Sequence, residues 1–407
     1  MADWKKQDKI FITCALYLSP YLKKEVEDLG YTVTDEKING VELFGTLEDC
    51  VRLNFFLRTG TRILYHLQTT ICSTLDFVYK DVKKIQWDEW IEKDKYFSVD
   101  SFGEHDSLRN TMFLNLRVKD AIADFFMEKF DLRPDTGPDK THALVYVYWK
   151  HNTASVYLDT SGVNLTKHGY RKIPMLAPLQ ENLAAAMILS TRWDKNSSFI
   201  NPMCGSGTLA IEAALIACNR ANGLLRDNYG FMHLIGYDNS LYEKVREEAK
   251  KLVVKKIPFR IIATDINKDA VEAAQKNANT AGVEHLIDFE VCDFMETEIP
   301  EGNGVVLLNP PYGERMPDFK TGSDEDENLF PLYKSIGEFL KHKCKRKTGY
   351  VFTGNFELLK GVGLKAKRKI PFTNAKIECK LFEYELYEGT RKNKQPPVSP
   401  KGGKSES

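Results

Sequence analysis

The chain has 407 residues, 43% of them hydrophobic, with 57 basic against 57 acidic side chains. That length accommodates two or three domains with ordinary cores, and the apolar fraction excludes a disordered chain. Charge balance excludes a global basic attraction for nucleic acid, so an RNA or DNA partner has to be held by local patches.

Taken in chain order, residues 1–69 alternate strand-like runs (Ile10–Leu16, Tyr31–Glu36, Val41–Phe44, Arg62–Leu67) with helix-like stretches (Tyr21–Leu29, Leu47–Leu57). This is the split β-α-β order of a ferredoxin-like α+β domain. The first apolar run, Ile10–Leu18, is too short and too strand-like for a signal peptide or membrane span. Residues 70–170 predict a helix over Thr111–Phe130 and a strand pair, Ala143–Tyr148 and Thr153–Leu158, joined at His151-Asn152. His142, His151 and His168 stand alone, the pattern of surface or satisfied histidines. A substrate-holding platform is the expected role of this half.

From residue 171 to 389 the pattern becomes that of an α/β, Rossmann-like domain. Ser198-Phe199-Ile200 is a short apolar run, Asn201-Pro202-Met203-Cys204-Gly205-Ser206-Gly207 a turn, and Thr208–Cys218 a stretch with helical spacing. Glycines at such a turn let a ligand approach the backbone, and the following helix N-terminus offers unpaired N–H groups to an anion. A phosphate-cradling loop is disfavoured because no Gly-Lys-Ser/Thr follows, and a dinucleotide fingerprint because Ala210 replaces its third glycine. S-adenosyl-L-methionine, with a carboxylate and an ammonium on its tail, remains. No thiol nucleophile is needed, so Cys204 reads as a small packing residue of the turn.

Asn219–Lys256 looks like a helical insertion, which makes Asp238 a decoy for the ribose-binding acid. Asp265 ends the next apolar run and precedes a capped helix, so it is the candidate for the ribose hydroxyls. Asp293, with Phe294 beside it, ends the run after that and is the candidate for the adenine amine. The structural alternative for each acid is a turn or a helix cap.

Gly304–Leu308 is a buried-strand pattern followed by Asn309-Pro310-Pro311-Tyr312. In an open α/β sheet the carboxyl ends of strands face the ligand crevice. There the Asn309 side-chain oxygen and the Pro310 carbonyl can accept from an exocyclic NH2, Pro311 stiffens the loop, and Tyr312 can stack on a base. An aryl amine is a poor nucleophile, so orientation and charge stabilisation carry the catalysis. Thr321–Asn328 is acidic and expected to be a mobile loop beside the pocket; Thr390–Ser407 is expected to be a disordered tail. Basic candidates for RNA contact are Lys341–Lys347, Lys365–Lys369, and Lys167 with Arg171 and Lys172.

Asn309–Arg315 (NPPYGER) together with Pro202–Thr208 (PMCGSGT) resembles the bacterial 23S rRNA guanine-N2 methyltransferases that carry an RNA-binding THUMP domain; a related group acts on the tRNA acceptor stem. Leu158–Leu165 and His168–Arg171 are similar to the end of the family's THUMP domain, Ala177–Ala184 to the opening of its catalytic domain, and Ile377–Leu381 to its last strand. The resemblance implies a ferredoxin-like unit at 1–69, a THUMP domain at 70–170 and a class I methyltransferase domain at 171–389. It also implies transfer from S-adenosyl-L-methionine to guanine N2. Catalysis falls to Asn309, Pro310, Pro311 and Tyr312; cofactor binding to Asn201, Pro202, Cys204, Gly205, Gly207, Thr208, Asp265, Asp293, Phe294 and Asn309. Position 201 is Asn where the family usually has Asp. Long members carry a second methyltransferase half, which is expected to lie outside this chain.

The eight cysteines are scattered without a C-x-x-C pair or a nearby His at ligand spacing, so neither a zinc site nor a disulfide framework is expected, and the setting expected is the cytoplasm. The expected partner is 23S rRNA, with tRNA as the alternative. An adenine-N6 DNA methyltransferase, a glutamine-directed protein methyltransferase and a non-catalytic RNA-binding assembly factor are the rival readings.

Overall fold

The computed structural model describes residues 2–105, 108, 110–173, 179–313 and 324–387. The amino-terminal half is built on one eight-stranded sheet. In chain order its elements are β1 (Asp8–Thr13), α1 (Ser19–Asp28), β2 (Val33–Lys37), β3 (Gly40–Gly45), α2 (Leu47–Phe56), β4 (Arg62–Ile71), α3 (Leu75–Lys83), β5 (Phe97–Glu104), α4 (Thr111–Phe130), β6 (Thr136–Gly137), β7 (Ala143–Lys150) and β8 (Thr153–Asp159). Alternation decides its faces. Ile10, Ile12, Val41 and Leu43 turn inward beneath the helices, while Phe11 faces the other side with Leu64 and Tyr157. Local signals fix the helix starts: Thr46 and Asp49 form a capping box on α2, and Asn110 caps α4.

The sheet order β2-β3-β1-β4-β8-β7-β5-β6 begins with the ferredoxin-like arrangement and continues without a break. β4 runs through residue 69 and pairs antiparallel with β8 from Leu64–Asp159 to Ile71–Thr153. The first two units therefore share a sheet. α3 and β5 were not foreseen, because β5 (FSVDSFGE) interleaves serine, acid and glycine and is held by parallel pairing to β7.

The second half follows as α5 (Glu181–Ser190), β9 (Ser198–Pro202), α6 (Thr208–Ala217), α7 (Asn239–Lys251), β10 (Ile261–Asp265), α8 (Lys268–Ala281), β11 (Ile287–Val291), β12 (Gly304–Leu308), α9 (Asp324–His342), β13 (Thr348–Thr353), β14 (Arg368–Asn374) and β15 (Ile377–Glu385). Its sheet order is β11-β10-β9-β12-β13-β15-β14, parallel except for β15 and its pairings. Strand order reverses between β9 and β12, and a doubly wound sheet holds its ligand at that crevice.

The insertion between α6 and β10 joins the halves. The indole nitrogen of Trp4 donates to the Ile235 carbonyl at 2.9 Å, Arg52 pairs with Glu248 at 2.7 Å, and Arg226 donates to the Ser161 carbonyl at 2.9 Å. Asp238 caps α7 by accepting from Ser240 N, as a decoy should. The linking residue His168 is buried: Nδ1 meets Glu212 at 2.7 Å and Nε2 meets the Arg58 carbonyl at 3.0 Å.

Three expectations are corrected. Asp324–Asn328 belongs to α9 and not to a loop, while Thr321–Ser323 lie outside the described residues. Lys347 is interior, its ammonium donating to the Gly302 carbonyl at 2.6 Å, so the Lys341–Lys347 run is not a uniform basic surface. Arg171 has a largely buried side chain and donates to Thr208 Oγ1 at 2.9 Å, which takes it out of its candidate patch, while Arg368 pairs with Glu383 at 3.0 Å and stays exposed. The proposed tail, Glu314 and Arg315 lie outside the described residues. Among the described residues, no helix is long and apolar enough to cross a membrane.

Candidate active site

β9 delivers the chain into its turn because Ser198–Pro202 is buried along its length. Met203, Gly205 and Gly207 then adopt positive φ, at 58°, 54° and 82°. Gly205 faces open space, whereas a Cβ on Gly207 would meet Ala274 Cβ at 2.7 Å. One glycine therefore leaves room above the turn and the other lets α6 close onto α8. Gly207 is the N-cap of α6 and no side chain caps it, which leaves first-turn amides for an anionic group.

The turn is tied to β10. Gly205 N donates to Asp265 Oδ2 at 2.9 Å, Asn267 N donates to Oδ1 at 3.0 Å, and Cys204 N donates to the Thr264 carbonyl at 2.9 Å. Each Asp265 oxygen has a further lone pair for a hydroxyl donor. Burial, aided by the nearby Asp265 charge, pushes the Cys204 thiol up, so it stays neutral and packs. The Thr208 hydroxyl accepts from Arg171 and keeps its own O–H to donate, beside the residue's backbone N–H at the turn.

Asn277, a buried side chain on α8, was missed by sequence reasoning. Its Nδ2 donates to the Ser206 carbonyl at 3.2 Å, while Oδ1 accepts from Lys172 N at 2.9 Å. A buried asparagine among the alanines of α8 was the available signal. Ile266, 72% exposed immediately after Asp265, is the second omission, an apolar surface beside the candidate ribose site. Asp293 performs the structural task weighed against its functional one, accepting from Met295 N at 2.8 Å. Phe294 is buried edge-on to Phe339, with ring centroids 5.5 Å apart.

Across the switch point, β12 carries Asn309 to the crevice. Its Oδ1 is buried and has no hydrogen-bond partner among the described residues, an acceptor open to an incoming donor. Pro310 is buried and Pro311 exposed, so the loop turns outward between them. The Tyr312 hydroxyl accepts from Asn374 Nδ2 at 2.9 Å, anchoring the loop to the end of β14. Burial pushes the Tyr312 phenol up to about 12, so it is neutral and not a base near pH 7. Asn201 is fully buried, and its Nδ2 donates to the Leu307 carbonyl at 2.9 Å, two residues before Asn309. The structure thus connects Asp265 to Gly205 and Asn201 to the Asn309 strand.

Residues 168–383 match the RMKL-like methyltransferase domain. The chain belongs to that family. Ahead of this RMKL-like domain, residues 9–64 match the RlmL ferredoxin-like domain and residues 72–159 the THUMP domain. The RMKL-like chain is 35% identical over 400 residues to the ribosomal RNA large subunit methyltransferase K/L of Psychromonas ingrahamii, covering 96% of this chain and 52% of that protein. It spans about half the length of the curated relatives it matches. Among solved structures, SMU.472 in complex with SAH has a TM-score of 0.83 and 28% identity, covering 95% of this chain and 100% of that one. A Listeria monocytogenes str. 4b F2365 protein described as a predicted N6-adenine-specific DNA methylase has a TM-score of 0.81 and 30% identity, covering 94% and 97%.

Proposed function

We propose that this RMKL-like chain uses S-adenosyl-L-methionine to methylate the exocyclic N2 amine of a guanine in 23S rRNA. The observation that carries the reading is Asn309 Oδ1, buried and without a partner among the described residues, at the carboxyl end of β12 beside the strand-order reversal.

The residues fit the cofactor. Asn201 Oδ1 is a second buried acceptor without a partner among the described residues and suits the methionine ammonium. The uncapped first turn of α6 suits its carboxylate, and Gly205 leaves the approach open. Asp265 would hold the ribose hydroxyls, with Ile266 beside it, and Asp293 with Phe294 would hold the adenine. SMU.472 carries SAH in a fold superposing over nearly the whole chain.

When bound, S-adenosyl-L-methionine supplies an electrophilic methyl group. Asn309 Oδ1 and the Pro310 carbonyl accept the two amine protons, which turns the nitrogen lone pair away from the ring plane. Tyr312 stacks on the base, worth roughly 1–3 kcal/mol, with the flipped or unpaired nucleotide held out of its helix. After transfer, the surplus proton leaves the amine to water. The THUMP domain and its shared sheet are the RNA platform, held over the catalytic domain by the insertion. Kinship with the K/L enzymes favours ribosomal over transfer RNA as the substrate.

A second reading, adenine N6 of DNA, is favoured by the description of the Listeria relative, since an Asn-Pro-Pro-Tyr loop selects an amine and not one base. The deciding experiment is transfer from labelled S-adenosyl-L-methionine to unmodified 23S rRNA, tRNA and DNA, followed by nucleoside identification. N2-methylguanosine confined to 23S rRNA is the expected product. N6-methyladenosine in DNA would replace the assignment. Absence of cofactor binding would favour a non-catalytic RNA-binding role.

A further inference from the structure

β9 and β12 are parallel neighbours, and their ladder ends at the pair Ile200–Val306. Backbone pairing between the two strands stops there, at the end of the sheet where a doubly wound fold holds its ligand. The next contact between them is made by a side chain: Asn201 Nδ2 donates to the Leu307 carbonyl at 2.9 Å. A carbonyl oxygen can only accept, so the amide nitrogen has to face it, and Oδ1 turns elsewhere. Asn201 is 0% exposed, which makes the bond a dry one and fixes the rotamer.

We propose that Asn201 is a positioning residue for methyl transfer, a side-chain clamp that replaces the next rung of the sheet and holds Asn309 against the glycine turn. This inference rests on the reading of Asn309 as the amine-holding residue. Relatives with aspartate at this position hold an ionised group that cannot donate to the facing carbonyl, so the Asn201–Leu307 bond is a feature of this chain's asparagine. The asparagine is therefore not a weakened aspartate. Its nitrogen serves the amine half of the site while its oxygen stays available to the cofactor half. The two explanations predict opposite outcomes. If position 201 acted only through charge on the methionine ammonium, an aspartate would tighten cofactor binding and leave transfer intact.

The test compares Asn201→Asp, Asn201→Ala and Asn309→Ala in the full chain. S-adenosyl-L-methionine affinity is measured by calorimetry, and single-turnover methylation of unmodified 23S rRNA at saturating cofactor is normalised to titrated binding sites. Amide hydrogen exchange over residues 305–313 is followed in the cofactor-free protein. Both Asn201 variants are expected to slow transfer at saturating cofactor by about tenfold or more, and Asn201→Ala also weakens cofactor binding because it removes the acceptor for the methionine ammonium. Their exchange in that segment speeds up, while Asn309→Ala leaves exchange near wild type. A wild-type transfer rate in Asn201→Ala at saturating cofactor, or a tighter-binding and equally fast Asn201→Asp, overturns the clamp. Should Asn201→Asp fail to fold, Asn201→Ala carries the test without introducing a charge. Full turnover by Asn309→Ala would sink the reading of Asn309 instead, and the exchange data would still decide the clamp.

Discussion

On the proposed cofactor side of the crevice the backbone does the shaping, through positive φ at Gly205 and Gly207 and through amides tied to Asp265 and Thr264. On the proposed amine side three side-chain amides do it: Asn309 presents an acceptor, Asn201 donates to the strand before it, and Asn374 donates to Tyr312 after it. The difference teaches where each half is vulnerable. A shaped backbone fails by steric exclusion, whatever the chemistry of the intruding atom. A constellation of amides fails by lost hydrogen bonds, even when shape is preserved.

The largest effect that would sharpen this contrast is Asn309→Ala. Its kcat is expected to fall by about 10²–10³, as for loss of one preorganised polar group, while cofactor affinity measured by calorimetry stays near wild type. Loss of cofactor binding with turnover retained would break the division of labour.

Gly207→Ala should do the reverse. The new Cβ meets Ala274 at 2.7 Å and occupies a φ of 82°, so a loss of roughly 1–3 kcal/mol is expected in denaturant unfolding, accompanied by weaker cofactor binding. Gly205→Ala separates the two effects, since its Cβ meets no described residue within 4 Å and its cost beyond backbone strain falls on the approach of the cofactor.

A smaller effect is expected for Tyr312→Phe, which keeps the ring and removes the hydroxyl bonded to Asn374. A net loss of about 0.5–1.5 kcal/mol corresponds to a roughly two- to tenfold fall in kcat/KM. Asn374→Ala should match it, and the double variant should be no worse than either alone; additive losses would show that the two residues act separately.

The smallest effect concerns the join between the halves. Burial pushes the His168 imidazole down, but the Glu212 charge and hydrogen bond, with Glu181 behind them, outweigh it and leave it raised above 6.5. A raised histidine contributes stability that is complete below its unfolded value and is lost as pH rises through the folded one. Thermal melting of the wild type is therefore expected to weaken from about pH 6.5 upward. In His168→Gln that slope should flatten, and an unchanged slope would remove His168 from the join.

Local code was read well where each element carries its own signal. α4 occupies Thr111–Phe130 as its spacing predicts, and the buried runs before Asn201, Asp265 and Asn309 are strands. β5 was illegible because its stability comes from β7 and not from its own alternation. The acidic start of α9 reads as a loop on composition alone, although such residues suit the first turns of a helix. Arg171 and Lys347 looked like free cations because sequence neighbours, and not spatial ones, were all that could be counted.

By itself the sequence determined the strands that lead to Asn201, Asp265 and Asn309, the glycine turn and the Asn-Pro-Pro-Tyr loop, because periodicity, missing Cβ atoms and proline act within a few residues. Only the tertiary structure decided that the first two units share a sheet, that the insertion joins the halves, and that Asn201, Asn277 and Asn374 brace the site. Those bonds join residues 62 to 106 positions apart along the chain. An amide can donate or accept, and which it does depends on the neighbour that folding brings to it.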